Sequence, residues 1–432
     1  MAVKTGALDN DVSASDLEAF ESVVGGRKVR SLYQPVVDLD SREIVGWEAL
    51  ARGPEGSPLE YPDRLFDVAN RLGRLSELDF VCQAAAIEGA LAAGLDDSSD
   101  LFINIEPRND PADAPEYLRE IYAAAWQRLK ITVEITEREL TSRPADLVSV
   151  VDQLRGEPNW GIALDDVGVD PRSVGLIPLV EPDVIKLDMS FMHEPMTRQR
   201  ARAAHAVLAE AERTGARVLA EGIETEEHLQ DALALGAHLG QGWLFARPGE
   251  LKPELAVSGN TRRSNLPGSA GRPAAETTPY EFLSRHRAPR RGTKPMLLQM
   301  SRALEDEALA QGEEAVLIST FQDVSFFTSK TARRYSQIAE KVAFTGALAD
   351  GLGAEPAHGV RGAGLDSAMK LRSEWDVVML APHFAACFAS REIEPESESD
   401  IRRFDHVITY DRHLVSVVAN QLMRQIAPVR GA

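Results

Sequence analysis

Cysteine is nearly absent: Cys82 and Cys387 are the only two in 432 residues. So far apart in sequence, they supply neither a disulfide framework nor a thiolate zinc site within one chain, and two buried free thiols are expected. No run of about 18 apolar residues is present to cross a bilayer as a helix, and the opening stretch MAVKTGALDNDVSASDLEAF lacks the apolar segment of a signal peptide. No membrane insertion and a cytoplasmic location are therefore expected. Positive charge is also short. With 47 Lys and Arg against 67 Asp and Glu, the net charge is −20 and the pI about 5.0, which argues against general affinity for nucleic-acid polymers or anionic membranes. His358, His383, His406 and His413 show no metal-ligand spacing, and no internal repeat is found. What is there is an ordinary globular composition, 44% hydrophobic and 26% charged, in a chain long enough for two or three domains with large cores.

Composition breaks between residues 252 and 278, where KPELAVSGNTRRSNLPGSAGRPAAETT is rich in Gly, Pro, Ser and Thr and lacks apolar periodicity, the signature of a linker. The expected organisation is an N-terminal extension over 1–27 with a short helix from Ser15 to Val24, a large α/β domain over 28–251, the linker, and a smaller α/β domain over 279–432. In the large domain eight apolar strand candidates alternate with amphipathic helices: SLYQPVVDL, EIVGWEAL, DLFINI, KITVEIT, WGIALDD, DVIKLD, RVLAEGI and HLGQGWLF. This is the pattern and size of a (β/α)8 TIM-like barrel. The first two strands are joined too tightly for a helical crossover, so that pair is expected to be antiparallel. In the smaller domain the strand candidates are EAVLISTFQ, KVAFTGAL, EWDVVMLAP and FDHVITYD, with helices near Ser329 to Glu340 and Arg412 to Gln425.

Polar residues punctuate the strand ends of the large domain. Glu48, Asn104, Glu134, Asp165 with Asp166, Lys186, Glu221 and Gln241 each stand near the C-terminal end of a different strand candidate, in otherwise apolar sequence. That end of a β/α barrel is where side chains from separate strands converge. Like charges about 4 Å apart repel by roughly 4 kcal/mol at an effective dielectric of 20, so several carboxylates on one mouth need counter-ions. One Lys is too few. Oxygen donors with one amide and no His or Cys favour hard ions, Mg²⁺ or Mn²⁺. The adjacent Asp165 and Asp166 suggest two ions, since one carboxylate bridges while its neighbour reaches the second. Two such ions are the apparatus of phosphodiester hydrolysis. The competing reading of the set is a group of barrel-stabilising ion pairs.

The ordered segments WEALARG, FINIEP, VEITE, ALDDVG, IKLD, LAEGIET and QGWLFARP resemble the EAL-domain cyclic di-GMP phosphodiesterases from about Ser31 to Pro248. The resemblance implies a barrel with one reversed strand, usually a homodimer, and hydrolysis of cyclic di-GMP to linear pGpG with Mg²⁺ or Mn²⁺. It also implies roles for particular residues. Glu48, Asn104, Glu134 and Asp165 resemble ligands of a first ion, and Asp165 and Asp166, with Glu221, ligands of a second. Lys186 resembles the group that orients or deprotonates the attacking water, and Gln241 a partner in that network. Arg52 resembles a phosphate contact, Gln34 and Leu50 line the nucleotide site in relatives, and Asp188 has a supporting role. Glu137 resembles the anchor of the loop after the fifth strand.

That loop departs from the family. Where relatives read DDFGTGYSSL, this chain has Asp165-Asp166-Val167-Gly168-Val169-Asp170-Pro171-Arg172-Ser173-Val174, of equal length and different chemistry. Two functions of different class follow: an enzyme that hydrolyses cyclic di-GMP despite the altered loop, or a weak or inactive EAL domain that serves as a cyclic di-GMP receptor or scaffold. The complete ligand set favours the enzyme. Residues from about Thr278 to Pro428 resemble the DICT domain, through LISTFQDVSFFTSKTARRYSQIAE, WDVVMLAPHFAACFASRE and FDHVITYDRHLV. This implies a sensory and regulatory role for an unknown signal. Phe321, Phe326, Phe327, Tyr335 and Phe344 are read mainly as core, with a ligand pocket as the alternative. The basic cluster Arg285, Arg287, Arg290, Arg291 and Lys294 is read as a solvated stretch, with contact to an acidic partner or to the barrel as the alternative.

Overall fold

The computed structural model describes residues 13–107, 114–125, 128–155, 159–256, 261, 277–366, 369–393 and 402–426. Most of the expected linker, 257–260 and 262–276, and the first twelve residues lie outside these. Eight strands close into a barrel in sequence order: β1 Arg30–Asp38, β2 Ile44–Arg52, β3 Asp100–Asn104, β4 Lys130–Thr136, β5 Trp160–Val167, β6 Val184–Leu187, β7 Arg217–Ala220 and β8 Leu239–Gly240. β1 runs antiparallel to both β2 and β8, while β2, β3 and β4 pair parallel. The reversal follows from the short turn after β1. There the Asp38 carboxylate accepts hydrogen bonds from the backbone N–H groups of Asp40 and Ser41, and five residues cannot hold a crossover. β4 is buried from Ile131 to Ile135, as a strand between barrel interior and helices must be.

The barrel strands alternate with helices α1 Ala14–Gly25, α2 Pro62–Arg71, α3 Leu75–Ala93, α4 Glu116–Ala125, α5 Glu137–Ser142, α6 Pro144–Arg155, α7 Ser173–Val180, α8 Ser190–His193, α9 Arg198–Thr214 and α10 Glu226–Ala234. α3 and α9 stop at Gly94 and Gly215, both left-handed, as helix C-termini prefer. The N-terminal helix packs on the barrel's helices: Phe20 and Val23 are buried with Leu59, Leu65 and Val68. Two expected strands are shorter than read, since β7 ends at Ala220 and β8 holds only two residues. Cys387 is buried as expected, whereas Cys82 is partly exposed. Among the described residues no helix is long and apolar enough to cross a membrane.

After the linker, a seven-stranded mixed sheet has the order β12-β11-β10-β13-β14-β15-β9. Its strands are β9 Arg290–Thr293, β10 Val316–Asp323, β11 Phe344–Asp350, β12 Arg361–Gly364, β13 Glu374–Ala381, β14 Phe384–Ile393 and β15 Arg403–Thr409, and its helices are α11 Pro279–Ser284, α12 Lys294–Gln311, α13 Ser329–Ala339 and α14 Arg412–Met423. Leu317, Val377, Met379 and Phe388 form one face with Leu297 and Leu304 of α12 and Tyr335 and Ile338 of α13. Their strand neighbours Ile318, Val378, Leu380 and Cys387, also buried, point to the opposite face, where α14 runs along β13 and β14. β9, β12, β14, α11 and α12 are additions to the elements read from sequence.

The chain divides into two compact units, Met1–Ile135 with Glu157–Ala163 and Leu219–Arg262, and Thr136–Gly156 with Leu164–Val218 and Arg263–Ala432. The second unit therefore contains α6, α7 and α9 together with the seven-stranded sheet. Within it, Asn420 of α14 donates to the Leu179 carbonyl of α7 at 2.6 Å, and Arg424 pairs with Asp152 of α6 at 2.6 Å. All eight residues of α7 are buried.

Candidate active site

Antiparallel register puts Gln34 of β1 directly opposite Glu48 of β2, and Gln241, one residue beyond β8, ties the two together. Its amide Nε2 donates to Glu48 Oε2 at 2.6 Å and to Gln34 Oε1 at 3.3 Å, while Gln34 Nε2 donates to the Ala246 carbonyl at 3.1 Å. A second amide and carboxylate face each other at the end of β3. Asn104 is in register with Glu134 of β4 and donates to its Oε2 at 3.0 Å. Glu48 and Glu134 are both buried, Asn104 is exposed, and Leu50 and Gln34 are half-buried. Each buried carboxylate thus keeps one oxygen fixed by an amide.

Arg52 ends β2 opposite Arg30. Its Nη1 donates to the Ala51 carbonyl at 2.8 Å. Burial, and then repulsion from Arg30, weakens the guanidinium's hold on its proton. An anion at this position would relieve both effects.

At the fifth and sixth strands Lys186 is 1% exposed, and its Nζ lies 2.8 Å from Asp165 Oδ1. Asp166 takes the left-handed conformation, φ 59°, which costs a non-glycine residue about 1 kcal/mol. Gly168 follows at φ 109°, where a Cβ would stand 2.4 Å from the Phe191 ring. The loop turns sharply here and is held by Glu137, whose carboxylate accepts the backbone N–H groups of Gly168 and Asp170. Burial drives the Glu137 carboxyl up to about 7, against the opposing pull of those two N–H donors. Beyond them Asp170 pairs with Arg172 at 2.7 Å, and Val169 is left 63% exposed.

Asp165, Asp166 and Glu221 each present a carboxylate oxygen, all within 4.8 Å of one another. Among the described residues this is the group of acidic or sulfur and imidazole donors dense enough for an ion. Three hard oxygen donors, with Asp166 exposed and Glu221 half-buried, fit Mg²⁺ or Mn²⁺. Glu48 and Glu134 stand outside that 4.8 Å group. Asp188 accepts the Ser190 backbone N–H at 2.9 Å and so fixes the start of α8. The pairing of Gln34 with Glu48 and Gln241 is a feature that residue-by-residue reading misses. Its signal is present: a hairpin centred on Ser41 places residues 34 and 48 opposite each other.

Comparison with known proteins adds independent findings. The family model "EAL domain" matches residues 18–248, and "Sensory domain in DIguanylate Cyclases and Two-component system" matches 280–392. The probable cyclic di-GMP phosphodiesterase PdeB of Escherichia coli K12 is 29% identical over 241 residues, 53% of this chain and 44% of that protein. The cyclic di-GMP phosphodiesterase RocR of Pseudomonas aeruginosa is 29% identical over 254 residues, 56% of this chain and 63% of RocR. The chain thus spans about half the length of the curated relatives it matches. Among solved structures, the manganese and cyclic di-GMP complex of Klebsiella pneumoniae BlrP1 at pH 6 is 28% identical with a TM-score of 0.46, covering 52% of this chain and 56% of that one. The FimX EAL domain of Pseudomonas aeruginosa bound to cyclic di-GMP is 18% identical with a TM-score of 0.48, covering 55% and 98%.

Proposed function

Because the chain belongs to the EAL domain family, we propose that it hydrolyses one phosphodiester of cyclic di-GMP to give linear pGpG, using two divalent ions, Mg²⁺ or Mn²⁺, at the barrel mouth. The observation that carries this reading is the cluster of Asp165, Asp166 and Glu221 within 4.8 Å, next to a Lys186 fixed on Asp165. Asp165, Asp166 and Glu221 would hold one ion, and Glu48, Asn104, Glu134 and Asp165 the other. Bound ions activate water and stabilise the leaving oxygen in phosphodiester cleavage.

The chain's own groups then have definite tasks. Lys186 Nζ, fixed 2.8 Å from Asp165, would orient the attacking water by donating a hydrogen bond to it. Gln241 holds Glu48 in one rotamer through its 2.6 Å hydrogen bond. The Arg52 fork suits two non-bridging phosphate oxygens, and Gln34 and Leu50 flank the nucleotide. The altered loop keeps its anchor, since Glu137 still grips the N–H groups of Gly168 and Asp170. That supports catalysis over a receptor or scaffold.

The barrel, 28–251, is proposed to act as a cytoplasmic homodimer. The domain over 279–432 is proposed to regulate it in response to a signal. What supports regulation is α7: it starts at Ser173, directly after the altered loop, and carries a hydrogen bond from α14 at Leu179.

The test is incubation of the full chain with cyclic di-GMP and Mg²⁺ or Mn²⁺, with products read by chromatography. Formation of pGpG is expected, along with cyclic di-GMP affinity that drops at least about tenfold in chelator, because bound cations neutralise the carboxylates facing an anionic substrate. Binding without pGpG under either metal overturns the enzyme in favour of the receptor.

A further inference from the structure

In the C-terminal domain a cavity of about 640 Å³ lies between α12, α13 and the face of the seven-stranded sheet that these helices cover. Nothing in the barrel chemistry uses it. Phe321, Phe326, Trp375 and Phe404 supply aromatic surface, and Lys294, Arg302, Lys330, Arg333 and Arg334 supply positive charge. Among the described residues of the lining Glu305 is the one acidic group, and it is already engaged, bound by Arg334 Nε and by the Tyr335 hydroxyl at 3.1 Å. Five cations therefore face one committed carboxylate, in a chain whose net charge is −20.

Several arginines elsewhere in the domain are ion-paired: Arg287, Arg291, Arg391 and Arg402 each lie on a carboxylate. Among the described residues, Lys294, Arg302, Lys330 and Arg333 have no carboxylate within ion-pair distance. Lys294 is held over the Phe326 ring with Nζ 4.7 Å from the centroid, and Arg402 lies over the same ring at 5.0 Å. Partial burial, and then repulsion from Arg402 on the same ring, make the ammonium of Lys294 harder to keep charged, and the Glu392 carboxylate that pairs with Arg402 offsets this only in part. An anion would remove both penalties. The arrangement is also built: Tyr335, fully buried, anchors the floor through Ser319 at 2.7 Å, and Phe321 and Phe327 pack edge-on against its ring.

We propose that this cavity is a binding site for a planar aromatic anion, a ring system bearing a carboxylate, sulfonate or phosphate. The ring would stack among Phe326, Trp375 and Phe404, and its charge would meet Lys294, Arg302 and Arg333. Stacking and cation contacts both strengthen as they are desolvated, and the cavity volume lies within the range of small-molecule sites. Such a ligand is the class of signal the sensory domain would read. The site stands independently of whether the barrel hydrolyses anything.

The test uses the full chain and 1-anilinonaphthalene-8-sulfonate as probe, titrated by fluorescence. The uncharged N-phenyl-1-naphthylamine, with the same rings, serves as comparison. One saturable site per chain is expected for the sulfonate, with at least about tenfold weaker binding of the neutral compound and a fall in sulfonate affinity as salt is raised. The double substitution Arg302→Glu, Arg333→Glu changes two lining residues that have no ion pair among the described residues and is expected to weaken the sulfonate by about tenfold or more, with Phe326→Ala weakening both compounds. No saturable binding, equal affinity for the two compounds, or salt-independent sulfonate affinity overturns the proposal. The last two readouts need only the unaltered protein, so they decide even where a variant fails to fold.

Discussion

Glu137 shows how one buried carboxyl sets the state of the loop after β5. Its two backbone donors, the N–H groups of Gly168 and Asp170, need both carboxylate oxygens as acceptors, yet burial lifts its pKa from 4.5 to about 7. The folded state therefore holds an extra proton between pH 4.5 and about 7, and this group's contribution to stability falls as pH rises across that window. Above about 7 the charged form accepts both N–H groups more strongly, so the loop tightens as the group ionises. Turnover is expected to rise through pH 7, with protection of the 168–170 amides rising in parallel by hydrogen exchange. In Glu137→Gln one donor loses its acceptor, costing about 1–3 kcal/mol locally, and the step near pH 7 should vanish from both measurements. A step that persists in that variant assigns the titration elsewhere. Gln241 is a residue of the same kind, acting through Glu48. Gln241→Ala is expected to lower turnover or metal affinity by about 10–100-fold, and an unchanged metal titration and rate would mean that Glu48 needs no such support.

At the scale of elements, the barrel was readable because β4, β5 and β6 are buried on both faces and so appear as continuous apolar runs. The end of such a run marks the barrel mouth, so Glu134, Asp165, Lys186 and Gln241 could be placed before any partner was known. The partners could not. Which amide holds which carboxylate depends on register, and Glu137 is anchored to backbone rather than to a side chain. In the second sheet, β14 escaped notice because FAACFASREI is rich in small residues and reads equally as buried helix. β9 is RRGT, polar throughout, and is a strand only because β15 offers it an edge. The basic cluster there is accordingly neither a free patch nor wholly solvated, since Arg291 pairs with Asp405 at 3.0 Å. One element carries a prediction of its own. α7 approaches the turn ahead of β10 so closely that a Cβ on Gly175 would stand 2.0 Å from the Glu314 carbonyl oxygen. Backbone on one side and helix on the other leave nothing flexible to yield. Gly175→Ala should destabilise the protein by about 1–3 kcal/mol in urea titration, and an unchanged midpoint would mean the approach is looser than drawn.

At the scale of the whole molecule, the compact units do not coincide with the two family matches. The second unit takes in α6, α7 and α9 along with the C-terminal sheet, so part of the barrel's outer layer groups with the C-terminal domain. α7 is the clearest case. Its sequence, SVGLIPLV, is apolar almost throughout, and every residue is buried, which a surface helix of an independent barrel would not allow. Its cover includes α14, through the Asn420 to Leu179 hydrogen bond, and Arg424 fixes the neighbouring α6 through Asp152. A chain ending at Leu251 would lose that cover. Each Leu, Ile or Val returned to water costs about 1.5–3 kcal/mol if fully exposed, so even partial uncovering of α7 gives the shortened chain a strong reason to self-associate. Light scattering is expected to show a larger mass per particle, in chain units, for the shortened protein than for the full chain, together with a lower thermal midpoint. Its hydrolysis rate should change as well, because α7 begins at the end of the loop that carries Asp166. Equal association states, midpoints and rates for the two lengths would mean that the C-terminal domain neither shields α7 nor acts through it.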